Sequence, residues 1–231
     1  MKKSNHILKR IKRGGLIAPL FFALVFQACN ETAPPQKDSI TSLDEELKQV
    51  PRPYNTIDWD LDQAQQKLQA GDIILKCGKG HISNLILQVL DEPIPLSHCA
   101  ILIERNDSLR ILHSVSSKVA QKDGVQLGDL PKFLSDLREG TFYALRHKDS
   151  STAQQIGTIG LKSLNNPAPF DDDYNHHDTT ELYCSELVRN VLLKANNKEY
   201  FGIHKIEHFE LISFNEILAS DDFEILNKKA N

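Results

Sequence analysis

His98, His113 and Cys184 are the residues of this 231-residue chain whose types and order could do covalent chemistry. A thiol, an imidazole that takes and returns its proton, and a group that holds that imidazole are the parts a cysteine hydrolase needs to attack a carbonyl carbon. Cys184 heads the run Tyr183-Cys184-Ser185-Glu186-Leu187-Val188-Arg189, and apolar residues follow it at Leu187, Val188, Val191, Leu192 and Ala195. Steps of three, four, seven, eight and eleven mark one face of a helix. A thiol in the first turn of a helix meets unpaired backbone N–H groups and the positive end of the macrodipole, and both favour thiolate. Packing as a small hydrophobe is the ordinary use of such a cysteine, so the histidines must carry the distinction.

The elements that would position these groups can be read from periodicity. Ser97 to Glu104 alternates as a strand, with Cys99, Ile101 and Ile103 on one face and His98, Ala100 and Leu102 on the other. Asn106-Asp107-Ser108 signals a turn, and Leu109 to Val115 returns as the antiparallel partner with His113 on the face of Leu109, Ile111 and Val115. That hairpin makes His98 and His113 near neighbours. Upstream, Gly71 to Leu75 reads as a first strand, and Ile82, Leu85, Ile86, Val89 and Leu90 lie at helical spacing before Pro93 and Pro95. Downstream come a short strand over Val125 to Leu127, a helix over Leu130 to Leu137 behind Asp129, a strand over Thr141 to Arg146 and a helix over Ser151 to Leu164. Asn165 to Thr180 is a polar loop that delivers the chain to the cysteine helix, and 204–226 holds short fragments of unassigned order. Helices mixed with short antiparallel strands make an α+β class.

Residues 1–28 have the layout of a secretory signal: six basic residues, an apolar core from Leu16 to Phe26, then Ala28 before Cys29. Phe26-Gln27-Ala28-Cys29 resembles a bacterial lipobox with Phe where Leu is usual, which implies cleavage before Cys29 and lipidation of its thiol. Residues 29–57, with four prolines, read as a tether that a short helix from Ser42 to Val50 interrupts. A second helix over Asp60 to Ala70 opens one domain spanning 58–231. The leader takes six of the 27 Lys+Arg and none of the 31 Asp+Glu, leaving a net charge of about −10. Such a surface argues against nucleic acid and leaves membrane attachment to the lipid alone, which places the domain in the cell envelope. Cys77, Cys99 and Cys184 remain, an odd number, and a Cys77–Cys99 disulfide is one pairing they allow.

The order Leu96-Ser97-His98-Cys99-Ala100-Ile101-Leu102, Ile111-Leu112-His113, Pro169-Phe170-Asp171 and Tyr183-Cys184-Ser185-Glu186-Leu187-Val188 resembles the permuted papain-like amidases of the YaeF/YiiX type. These are relatives of the NlpC-like cysteine hydrolases in which the histidine strand precedes the cysteine helix, and the likeness runs from about Leu68 to Phe223. It implies a circularly permuted papain-like fold, a central antiparallel sheet packed against helices that include the cysteine helix. It also implies roles: Cys184 as nucleophile, His98 as general base and His113 as the orienting third group, with Tyr183, Ser185 and Asp72 as candidates on the substrate or oxyanion side. The expected activity is hydrolysis of an amide in cell-wall peptides or N-acyl amino acids, with no cofactor. Many YiiX-like members carry an acidic residue at the third position, whereas acyltransferase-like proteins of the lecithin:retinol type have histidine. An acyltransferase or lipid hydrolase is therefore the alternative, and an inactive envelope-binding module is a third reading.

Two further groups compete for chemistry. Cys77-Gly78-Lys79-Gly80-His81 offers a thiol on an expected loop but no orienting partner, and its glycines are too few for a phosphate loop. His176-His177-Asp178 with Glu181 could be drawn as metal ligands, yet neighbours on a loop rarely converge, and no metal is expected. Cys99 is assigned to the core, since strand alternation turns it away from His98.

Overall fold

The computed structural model describes residues 66–206 and 209–227. The expected leader, Cys29, the tether and its short helix lie outside them, as does most of the helix expected over 60–70. Eight strands and five α-helices lie wholly within the described residues, in the order β1 (Ile73–Gly78), α1 (His81–Leu90), β2 (His98–Glu104), β3 (Leu109–Val115), β4 (Gly124–Gly128), α2 (Leu130–Leu134) and β5 (Leu137–His147). Then come α3 (Ser150–Lys162), α4 (Cys184–Asn196), β6 (Ile203–Ile206), β7 (Phe209–Ile212), α5 (Asn215–Ala219) and β8 (Phe223–Ile225). Six strands make one antiparallel sheet in the order β4-β3-β2-β1-β5-β8, and β6 and β7 form a separate hairpin. Among the described residues no helix is long and apolar enough to cross a membrane.

The alternation along β2 divides the interior in two. Cys99, Ile101 and Ile103 belong to the larger core, with Ile156 of α3 and Leu187, Val188, Val191 and Leu192 of α4. Ala100 and Leu102 turn to a smaller core with Ile74, Ile111 and Phe133. A strand buried on both faces cannot slip by one residue without exchanging these two sets, so its register is strongly specified.

The helix expected over Leu130 to Leu137 is shorter. The helix behind Asp129 ends at Leu134, because Leu137 pairs with Gly78 and opens the eleven-residue β5. Helix α1 closes before the prolines, where Asp91 turns left-handed at φ 47° and its N–H bonds to the Leu87 carbonyl. Gly71 also sits at positive φ, 95°, and a Cβ there would lie 2.0 Å from the Ala153 carbonyl oxygen, so glycine lets α3 close on the strand entry.

Beside that entry Arg146 donates to both oxygens of fully buried Asp72, Nε to Oδ1 at 2.8 Å and Nη2 to Oδ2 at 2.7 Å. The pair ties β5 to the start of β1, and truncating one partner leaves an uncompensated buried charge. At the head of α4 the Glu186 carboxylate accepts the Tyr183 N–H at 2.9 Å, an N-terminal cap made by a side chain that is only 2 % exposed. Burial pushes the Glu186 carboxyl up to about 8, and the charges of Asp171, Asp178 and Cys184 act in the same direction.

Arg146→Met should therefore lower stability by about 3 kcal/mol in urea unfolding, and a loss below about 0.5 kcal/mol would show that the pair is neutral. Glu186 has a second consequence, for pH. The folded chain keeps this proton up to about 8 while the unfolded chain releases it near 4.5. The native state thus binds more protons across that window, and the stability Glu186 confers is lost as pH rises through it. Glu186→Gln keeps an oxygen acceptor for the cap without the titration, so its melting temperature should gain on the parent's between pH 4.5 and 8. Parallel pH profiles would contradict this.

Candidate active site

His98 is the first residue of β2, and His113 lies near the end of β3. The strands pair Ile101 with Leu112 and Leu102 with Ile111, a register that sets His113 against Ala100 and leaves His98 on the diagonal of the same face. Their rings meet edge to face, with His98 Nε2 3.0 Å from His113 Nδ1. Phe133 of α2 packs on both imidazoles, at centroid distances of 5.4 and 5.6 Å. Lys76, opposite His98 on β1, lays its ammonium over the Phe133 ring and bonds to the Phe133 carbonyl and Asp136.

This enclosure keeps one of the two imidazoles uncharged. Burial first, and then the charges of His98 and Lys76, push His113 down to about 3, so it is neutral at physiological pH. A neutral His113 with its lone pair on Nδ1 accepts from a protonated His98 Nε2, which leaves Nδ1 of His98 for another partner.

That partner is the thiol of Cys184, which is only 8 % exposed at the first position of α4. Cys184 is driven well below the ordinary thiol value. The largest cause is a hydrogen bond from the Cys99 side chain, and the charge and hydrogen bond of His98 add to it against the opposing effect of burial. Cys99, wholly buried, is pushed correspondingly up and stays a thiol. Helix α4 packs on the Cys99 face of the sheet while its first residue also meets His98 at the strand's start, so Cys184 touches residues from both faces.

Sequence reasoning assigned Cys99 to packing alone, and no local pattern marks its second contact. Tyr174 was missed as well. Its ring lies 5.3 Å from that of Tyr183, and burial first, then the charge of Cys184 and the acids Asp172 and Asp171, push its hydroxyl to about 12. The loop that carries it, read as merely polar, is anchored by buried Asp171, which accepts the N–H groups of Asp173 at 2.8 Å and Asn175 at 2.6 Å.

The side chains of the remaining candidates are engaged in other bonds. Asp72 is held by Arg146, the Ser185 hydroxyl donates to the Ile212 carbonyl at 3.3 Å, and the Tyr183 hydroxyl accepts the Ile212 N–H at 3.1 Å. Cys77 lies buried on β1 rather than on a loop, with its N–H on Thr141 Oγ1. Cys77 and Cys99 are thiols and make no disulfide, since Cys99 faces Leu75 in the register and meets Cys184.

The model of the permuted papain-like amidase family, YaeF/YiiX, C92, matches residues 67–217. None of the curated proteins matches the sequence. Among solved structures, one titled as the metalloprotein yiiX from Escherichia coli O157:H7 is similar at a TM-score of 0.57 and 17 % identity, over 71 % of this chain and 98 % of that one. That likeness bears on the fold, an antiparallel sheet flanked by helices. The matched span holds His98, His113 and Cys184 in the permuted order, and the chain belongs to the permuted papain-like amidases of the YaeF/YiiX family, a hydrolase family.

Proposed function

We propose that this hydrolase works through Cys184, cleaving amide bonds in cell-wall peptides or N-acyl amino acids at the cell envelope, to which a lipid on Cys29 would hold it. The observation that carries the reading is the continuous relay from the Cys184 thiol through His98 to a neutral His113. The Cys184 thiol gives its proton to His98, its sulfur attacks the carbonyl carbon, and the oxygen takes the negative charge beside backbone N–H groups at the head of α4. Tyr183 N–H is committed to Glu186, so the Cys184 N–H is the nearest donor to the thiol by chain position. His98 gives its proton to the amine as the C–N bond breaks, then takes one from water, which opens the thioester and restores Cys184.

His113 supports the ring of His98 without a carboxylate's charge. A neutral orienter stabilises imidazolium less than an anion would. That favours, as a second reading, acyl transfer or lipid hydrolysis in which the thioacyl intermediate passes to another acceptor.

Cys184→Ala should abolish labelling by a thiol-directed activity probe, and undiminished labelling would move the nucleophile elsewhere. His98→Ala should lower kcat by about 10²–10⁴-fold. His113→Ala should reduce kcat with a displaced pH profile that His113→Asn partly restores. Incubation with muropeptides, N-acyl amino acids and phospholipid separates the readings, since acyl transfer without amide cleavage would reverse their order. Binding of substrate analogues with no thioacyl species on Cys184 by mass spectrometry would instead support a non-catalytic envelope-binding module.

A further inference from the structure

The loop before the cysteine helix brings a second chemically capable group together. Asn175 forms a parallel bridge with Glu210 of β7, and the His176 Nδ1 bonds to the Glu210 carbonyl oxygen at 3.2 Å. A carbonyl oxygen only accepts, so the hydrogen of neutral His176 sits on Nδ1 and its Nε2 presents a bare lone pair. That Nε2 points at Glu210 Oε2 from 3.6 Å, beyond hydrogen-bond reach, on a side chain only 8 % exposed. The neighbouring ring of His177 lies 4.1 Å away, centroid to centroid, and its Nε2 is 3.2 Å from the same Glu210 oxygen.

Two imidazole nitrogens thus converge on one carboxylate oxygen, and all three donor atoms lie within 4.8 Å of one another. Zinc–nitrogen and zinc–oxygen bonds of about 2.0–2.2 Å put tetrahedral donors roughly 3.3 Å apart, close to the two separations from Oε2. Fixing one ring nitrogen on a backbone carbonyl is how proteins orient a histidine ligand and keep its other nitrogen unprotonated. Lys205 pairs with the opposite oxygen, Oε1, at 2.5 Å, which leaves Oε2 to the histidines.

We propose that His176, His177 and Glu210 form a divalent transition-metal site, of zinc type by its nitrogen and oxygen donors. The cation would clasp the loop to β7 and leave at least one coordination position open. It lies outside the thiol–imidazole relay and acts through position. Tyr174, two residues before His176, packs against Tyr183 at the head of the cysteine helix, so clasping the loop steadies that contact. The site does not depend on the role assigned to Cys184.

The test uses the tag-free full chain carrying Cys184→Ala, so that the thiol and His98 cannot serve as a competing ligand set. After EDTA treatment and gel filtration, zinc is titrated by calorimetry and counted by elemental analysis, and cobalt(II) is followed by its visible absorption. One zinc per chain and tetrahedral cobalt bands are expected. His177→Ala and Glu210→Gln should each weaken zinc by more than about tenfold, the lower bound for losing even an outer-shell partner. His177 is 71 % exposed, so that variant folds normally, as circular dichroism would check. Absence of saturable binding in the parent overturns the proposal, and so does undiminished affinity in both variants.

Discussion

A thiol buried among apolar side chains, yet held well below the ordinary thiol value, is the constraint around which this molecule is arranged. Desolvation opposes ionisation, so the lowering requires hydrogen bonds and a neighbouring positive charge that together outweigh it. Cys99 and His98 supply these from successive positions of one strand, although alternation sends their side chains to opposite faces. The first position of α4 satisfies that requirement because it stands at the strand's beginning, and a cysteine one turn further along the helix would meet the Cys99 face alone.

Differential burial then keeps His113 uncharged. His98 and His113 are within hydrogen-bond distance, and two adjacent cations in a closed space would repel each other. Phe133 covers both rings and Lys76 adds a fixed positive charge, so His113 remains neutral and serves as acceptor. The third group therefore orients by lone pair and packing, with none of the Coulombic pull a carboxylate exerts, and this is the chemical feature that separates the two readings of its reaction.

Support for the site comes from outside the sheet as well. The segment between α3 and α4 has little regular structure, yet Asp171 gathers its backbone N–H groups and Asn175 to His177 lean on β7. Tyr183 and Ser185 are fastened to Ile212 by their hydroxyls, so the residues flanking Cys184 are tied to the same hairpin as the loop. Position of the thiol is consequently set by contacts on both sides of Cys184.

Periodicity in the sequence was sufficient for the hairpin of His98 and His113, the two faces of β2 and the apolar stripe behind Cys184, because these depend on residues close together in the chain. The order of histidine strand and cysteine helix also carried the family. Tertiary structure alone decided the rest: the contact of Cys99 with Cys184, the neutral state of His113, the raised carboxyl of Glu186, the pairing of Asp72 with Arg146 and the approach of Glu210 to His176 and His177. Each joins residues distant in sequence or follows from how completely a group is enclosed, and desolvation has no signature in the order of amino acids until the surrounding elements have packed.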